Sequence, residues 1–321
     1  MEDIIIRYRL GEDKPDMKRR SFILLIAAVL LMISLSACGP KTDFEYEKTE
    51  GGVVITGYNG EDKEIVIPEE IGGKAVVAIG NAAFDMKQIT SVEIPESVTA
   101  IGKYAFRRCG KLTSVTIKGK LTEIADGVFH YCGGLEKITL PDTVERIGIN
   151  AFCMTGLKEI ELPDSVKTID AYAFYECHEL EGFTAGKGLE SIGECAFAAC
   201  AHLNKLTLPE GLKSVGDYAF SSCVSLGEIK LPSTVDTLSA GVFAGMPYEE
   251  YTVQPSVKTI KAYAFQSCIA LKKIYIPESV ENIEADAFIE CKGVTICGVR
   301  DSAAEIFADT YGFKFEEYTF N

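Results

Sequence analysis

The chain has 321 residues, with 47 Asp+Glu against 32 Lys+Arg and a formal net charge of −15. An acidic excess of this size repels phosphate backbones and argues against nucleic acid as a partner. Apolar residues make up 47% of the chain, which excludes a disordered polymer and suits a continuous core.

Residues 1–16 are polar and precede a better start at Met17, so they read as a non-native extension before the true start. Residues 17–37 read as an export signal. Met17-Lys18-Arg19-Arg20 is a basic opening, and Phe22 to Leu35 is an apolar run too short for a comfortable membrane span. Leu35-Ser36-Ala37-Cys38 resembles the lipobox of bacterial lipoproteins. That resemblance implies that Cys38 is acylated and becomes the first mature residue, with residues 38–43 as a linker and the membrane contacted through the lipid only.

Beyond the linker, ten phenylalanines recur at a nearly constant step of 22 or 23 positions: Phe84, Phe106, Phe129, Phe152, Phe174, Phe197, Phe220, Phe243, Phe265 and Phe288. A period in this range marks a solenoid, whose units cannot bury their apolar faces alone. One unit runs Leu135, Ile138, Leu140, Pro141, Val144, Ile147, Gly148, Ala151, Phe152. Its Ile-x-Leu step has the period of two of a short strand with one buried face. Pro ends the strand and opens a turn with Asp, Glu or Ser. A second apolar step, Val-x-x-Ile, follows, and the spacing of Ala-Phe-x-x-Cys predicts a single helical turn. The Pro is missing at Lys118-Gly119-Lys120 and at Thr184-Ala185-Gly186, which predicts altered turns over an unchanged core.

These units resemble the BspA-like leucine-rich repeat proteins of bacterial surfaces, whose repeat carries the same Ile-x-Leu-Pro, Val-x-x-Ile-Gly and Ala-Phe-x-x-Cys steps. The resemblance implies a β-rich α/β repeat solenoid, a right-handed leucine-rich-repeat superhelix with short strands and single helical turns. Its coils would number about ten, one for each 22- or 23-position step. Residues 44–80, including Val54-Ile55-Thr56-Gly57-Tyr58 and Ile67-Pro68, resemble the family's N-terminal cap with the first coil. The repeats then occupy 81–296. Residues 297–321 resemble its closing segment, with a short helix from about Ser302 to Tyr311, Gly312 at its end, and a final strand.

Seven of the eleven cysteines (Cys109, Cys132, Cys177, Cys200, Cys223, Cys268 and Cys291) lie at the third position after a Phe. A column of one residue type at one core position reads as a ladder of buried free thiols, stacked beside the Phe ladder. Disulfides between adjacent coils remain open on spacing alone. His130, His178 and His202 sit at different offsets from their Phe and do not form a metal site, so no metal or cofactor is expected. No phosphate loop, nucleophile elbow or His-Glu-x-x-His motif occurs, and a filled core leaves no pocket to perturb an acid, so no catalysis is expected.

Function is therefore sought on the outside. The residue between Ile and Leu points outward in each unit and forms a column that includes Thr139, Glu161, Thr184, Thr207, Lys230, Thr252 and Tyr275, with Thr295 at its end. The segment Gly245 to Tyr251 replaces Cys with Met246 and adds Tyr248 and Tyr251, making it the least regular stretch and a second candidate for the binding face. The resemblance implies a non-catalytic surface protein that binds protein or glycan ligands of a host or matrix. The competing reading is a structural spacer of the envelope without a specific ligand.

Overall fold

The computed structural model describes residues 42–320; the expected export signal, 17–37, and Cys38 lie outside the described residues. Thr42–Asn321 is a compact unit by itself. It carries one continuous apolar core from Val53 to Ala308 and supplies its own closing strands, so it is a self-sufficient folding body. That body is a β-solenoid of about 12 turns with coils of about 23 residues, so the solenoid read from the Phe period stands and the coil count rises from about ten. The extra turns come from the end segments, which wind on the same pitch.

Each coil has three faces. The strand face carries the Ile-x-Leu steps as short parallel strands, such as Glu159–Glu161, Gly182–Thr184 and Lys205–Thr207. The second face carries two-residue strands from the Val-x-x-Ile steps, for example Arg146–Ile147, Thr168–Ile169 and Ser191–Ile192. The third, here the turn face, holds Ala-Phe-x-x-Cys.

The turn face is where the structure departs from the single helical turn. The second residue before and the second after each Phe have left-handed φ, as with Tyr104 (58°) and Arg108 (59°) around Phe106; Asp286 before Phe288 is the exception. Alternate amides therefore point in different directions. Ala105, Arg107 and Cys109 close turns onto carbonyls of the preceding turn. Tyr104, Phe106 and Arg108 donate instead to Asp126, Val128 and His130 of the next coil. An α-helical turn would aim every amide along its own axis and leave the neighbouring coil unbonded.

This face is the most regular in the molecule. Each Phe from Phe84 to Phe265 donates its amide to the carbonyl before the next Phe, at 2.7–3.2 Å. The rings stack at 5.0–5.7 Å from Phe84 to Phe220. All seven Cys of the column are buried, and each donates its thiol to the Phe carbonyl of the coil before, from Cys109 to Phe84 (3.0 Å) to Cys291 on Phe265 (2.9 Å). The ten described cysteines are all free.

The coils that lack this Cys have Lys87, Thr155 or Met246 in its place, and they are the three whose step to the next Phe is the shorter one. In the longer coils the Leu amide closes a turn onto the Cys carbonyl, as Leu112 does on Cys109 (3.0 Å). Shortening that loop by one position removes the turn and the reason for Cys. Thr155 keeps a hydroxyl there, donating to Phe152 O (2.9 Å) and touching Cys177 Sγ (3.3 Å).

The other two faces are interrupted. On the second face the pairing stops after Ala100–Ile101, beside the first altered turn, where a side chain on Gly119 would lie 1.9 Å from Val98 O. It stops again between Ser214–Val215 and Thr237–Leu238. On the strand face, residues 137–139 and 228–230 form no strand. The second of these gaps has a visible cause. Tyr251 occupies the buried position that Ile229 holds one coil earlier, and its hydroxyl donates to Ile229 O (3.1 Å). Phe243 packs on Tyr251 (5.4 Å) and Tyr248 (6.2 Å), and the parallel ring stack is lost there.

The ends are closed differently. Phe44–Lys48 folds back antiparallel on Val53–Tyr58 at the N-terminal end. At the other end the helix Ala303–Tyr311 buries Ala304, Phe307 and Ala308, and Gly312 (φ 75°) caps it through its amide to Ala308 O. Lys314–Glu317 then pairs parallel with Thr295–Gly298.

Burial raises the thiols of Cys109 and Cys223 to about 12 and that of Cys177 to about 11, from 9.0. A folded-state pKa above the unfolded one gives stability that is complete below pH 9 and is lost as pH rises toward 11–12. The melting temperature of the body 42–321 is expected to show, on top of any other titration, a steep fall above pH 9. Cys109, Cys177 and Cys223 each add a slope of about 1.4 kcal/mol per pH unit between the unfolded and folded values. At pH 8 a thiol reagent should modify the ladder only as fast as the body unfolds; rapid modification of the seven in the folded state would contradict the ladder.

Candidate functional site

The strand face presents its outward column in register. Glu161 lies beside Thr184, and Thr184 beside Thr207, on paired strands. Thr252 and Tyr275 are neighbours in the next paired group. Thr139, Glu161, Thr184, Thr207, Lys230 and Thr252 are exposed, and Tyr275 is half-buried with its hydroxyl donating to Glu250 Oε2 (3.0 Å). Thr139 and Lys230 fall in the two segments where the strand ladder is open, so the column is a set of short paired groups rather than one sheet. An open trough of about 510 Å³ lies at the first opening, lined by Thr113, Thr116, Lys137, Thr139 and Pro141 among others.

Tyr248 and Tyr251 do not belong to this face. They are 6% and 1% exposed, and their rings pack on each other (5.1 Å) and on Phe243. They stand one coil after Leu226 and Ile229, whose core positions they inherit. Their size opened the ladder, and their hydroxyls sit inside it. Burial raises both phenols well above their usual range. The two tyrosines are thus repacked core, and the segment leaves only Pro247, Glu249 and Glu250 exposed. At the C-terminal end the register sets Cys297, not Thr295, beside Tyr275. Thr295 pairs with Lys273 instead and is buried.

Charge on the second face is organised by pairing. The residue after each Val or Leu reads Glu145, Lys167, Glu190, Lys213, Asp236, Lys258, Glu281, alternating in sign up the stack. Lys167 meets Glu145 (2.7 Å), Lys213 meets Glu190 (2.8 Å) and Lys258 meets Glu281 (3.3 Å). These are exposed pairs, worth little each, but a slip of one coil would oppose like charges along the whole row. Nearby, Arg146 bridges Glu123 (2.6 Å), Asp126 (2.8 Å) and Asp170 (2.5 Å). Burial alone would raise the Asp126 carboxyl, but hydrogen bonds from Lys103 and Arg146 hold it below its usual value. Among the described residues no group of three or more His, Cys, Asp and Glu could hold a metal ion.

The surface that the sequence reading missed is the turn face. At the second position before Phe, that face reads Tyr104, Gly127, Asn150, Tyr172, Cys195, Tyr218, Gly241, Tyr263. The Tyr104 ring covers Gly127, where a side chain would come within 2.3 Å of it, and Tyr218 covers Gly241 at 2.1 Å. A bulky residue with left-handed φ is unusual, and Tyr104, Tyr172, Tyr218 and Tyr263 all adopt it at 56–64°. Arg107 binds Asp85 through two hydrogen bonds (2.6 and 3.0 Å), and the Arg108 guanidinium lies 5.9 Å from the Tyr131 ring. His130 is mostly buried beside them, and burial together with Arg107 and Arg108 lowers its pKa to about 4, so the imidazole is neutral. The signal was in the sequence as the recurrence of Tyr at one offset from Phe.

The model of the BspA type leucine-rich repeat region matches the chain in six copies, over residues 77–204 and 190–312. Among solved structures, the chain is similar to a leucine-rich repeat protein from Bacteroides ovatus, with 27% identity and a TM-score of 0.74 over 80% of this chain and 70% of that one. It is also similar in fold to the pneumococcal vaccine antigen PcpA, with 20% identity and a TM-score of 0.56 over 80% of each chain. No curated protein matches the sequence. Among the described residues no helix is long and apolar enough to cross a membrane.

Proposed function

Because the chain belongs to the BspA type leucine-rich repeat family, we propose that it is an exported, lipid-anchored, non-catalytic binding protein of the bacterial surface. It captures protein or glycan ligands of a host or matrix through the strand face. The anchor is the diacylglycerol on Cys38, and the ligand-facing residues are Thr139, Glu161, Thr184, Thr207, Lys230, Thr252 and Tyr275. The observation that carries this reading is the in-register, solvent-facing column on the strand face. A backbone ladder holds much of it, so few degrees of freedom are lost when a ligand spreads over it. Its chemistry is hydroxyl-rich and weakly charged between Thr116 and Thr207, which suits many modest hydrogen bonds rather than one deep anchor.

Two measurements test it. Immobilised matrix-protein and glycan panels should retain the body 42–321, and Lys230→Ala with Thr252→Ala and Tyr275→Ala should weaken the retained partner about tenfold or more without lowering the melting temperature. Equal retention by the triple variant removes the strand face from the reading, and no retention by any panel leaves the envelope spacer in its place. In bacteria expressing the full chain, Cys38→Ser should move the protein out of the membrane fraction; an unchanged membrane fraction would refute the lipid anchor.

A further inference from the structure

Ten large apolar side chains are exposed among the described residues, and six of them lie on or beside the turn face: Met86, Tyr131 and Ile289 on it, and Ile149, Val224 and Ile269 just beyond the Ala-Phe-x-x-Cys segment. Ile269 is 83% exposed. Scattered single apolar residues need no explanation, but six gathered on and beside one face of three do. Half-buried Tyr172, Tyr175, Tyr218 and Tyr263 lie among them, and Tyr is a residue that interfaces favour. Between these knobs the face is built of small residues such as Ala198, Ala199, Ser221, Ser222, Ala244 and Gly245, which let another surface approach the backbone. Beneath it runs the hydrogen-bond ladder that continues through every coil, so the surface is already rigid.

Charge on this face is sparse and divided between its ends. The coil of Phe106 carries Lys103, Arg107, Arg108 and Lys111, whereas the coil of Phe288 carries Asp286 and Glu290 against Lys292. The coils between them hold no Lys or Arg here, only acids such as Glu176, Glu194 and Asp217. Phe106 and Phe288 stand four coils to either side of Phe197.

We propose that the turn face joins two copies of this chain, antiparallel, about a two-fold axis through the coil of Phe197. That arrangement sets the basic coil of each copy on the acidic coil of the other, so the favourable contact occurs twice. A parallel pairing would put Arg108 against Arg108. Around the axis, the coil carrying Tyr172 and Tyr175 faces the coil carrying Tyr218 and Ser222, so rings meet small side chains. The nine coils from Phe106 to Phe288, at a spacing of ~4.8 Å, give a strip ~40 Å long. Six turn residues give it a width of roughly 15 Å. The resulting ~600 Å² a side lies at the lower end of the range for specific interfaces. The strand faces of both copies stay free, and a ligand that offers two sites would meet two columns at once. The pairing does not depend on what the strand face binds.

Sedimentation equilibrium of the body 42–321 at low salt should show a reversible dimer. Arg108→Glu with Lys111→Glu should weaken it about tenfold or more, and adding Asp286→Lys with Glu290→Lys to the same chain should restore it. Tyr218→Ala should weaken dimerisation while leaving strand-face binding unchanged, which separates this inference from the functional reading. Melting curves check that each variant is folded. A single-chain mass up to about 100 µM, or a dimer indifferent to the charge reversal, would overturn the pairing.

Discussion

A stacked phenylalanine such as Phe174 is tied to its neighbours in three ways at once. Its amide is given to the coil ahead, its ring lies on the rings before and after it, and its carbonyl receives a thiol from the next coil. None of these contacts can form within a single coil. The residues around Phe follow from them. The position before it is Ala or Val and is almost fully buried, because the preceding coil's Phe amide must reach its carbonyl. The third position after it is Cys where the loop is long enough, because a thiol is small and apolar and can still use the second lone pair of the Phe carbonyl. The left-handed residues on either side turn alternate amides outward. Strain that would be hard to justify in one turn is held in place by repetition along the stack.

Where the column is disturbed, the cause is visible. Each coil without the Cys is one position short, and the largest disturbance lies at the coil of Phe243, where Met246, Tyr248 and Tyr251 come together. There the strand pairing on both other faces lapses and the ring stack tilts, yet the turn-face ladder passes through unbroken, with Tyr218 donating to Ala240 O and Ser222 to Ala244 O. That ladder is therefore the spine of the fold, and the strands are secondary to it. The altered turns without Pro are a milder case. Gly119 lets the chain pass close over Val98 O, and the core residues on either side keep their places.

Much of this could be read from sequence because a repeat compares each position with itself ten times. The Phe and Cys columns and the alternating Ile-x-Leu step needed no coordinates. Left-handed φ could not be read, since Tyr, Arg, Met and Glu occupy those sites and none announces such a backbone. Tyr248 and Tyr251 were misplaced for a different reason. Beside Glu249 and Glu250 they look like surface residues, and only their one-coil distance from Leu226 and Ile229 marks them as core. The Thr295 slip arose where the repeat gives way to the closing segment and the neighbouring coil no longer fixes the register. The turn face was overlooked because a patch on a solenoid is assembled from residues that lie a whole coil apart in the chain.

The division of labour that results is simple: interior columns and a rigid spine carry stability, and the surfaces are left to recognise partners. The decisive measurement is the removal of whole coils. Excising the segment 153–197 joins Phe152 to Ala198 and takes out two complete coils in register. The shortened body should fold and melt in one cooperative transition with its ladder thiols still protected. Excising the segment 153–186 instead joins Phe152 to Lys187, breaks a coil partway round, and should leave an unfolded chain. If both excisions behaved alike, or if the in-register product failed to fold, stability would not come from the contacts between coils.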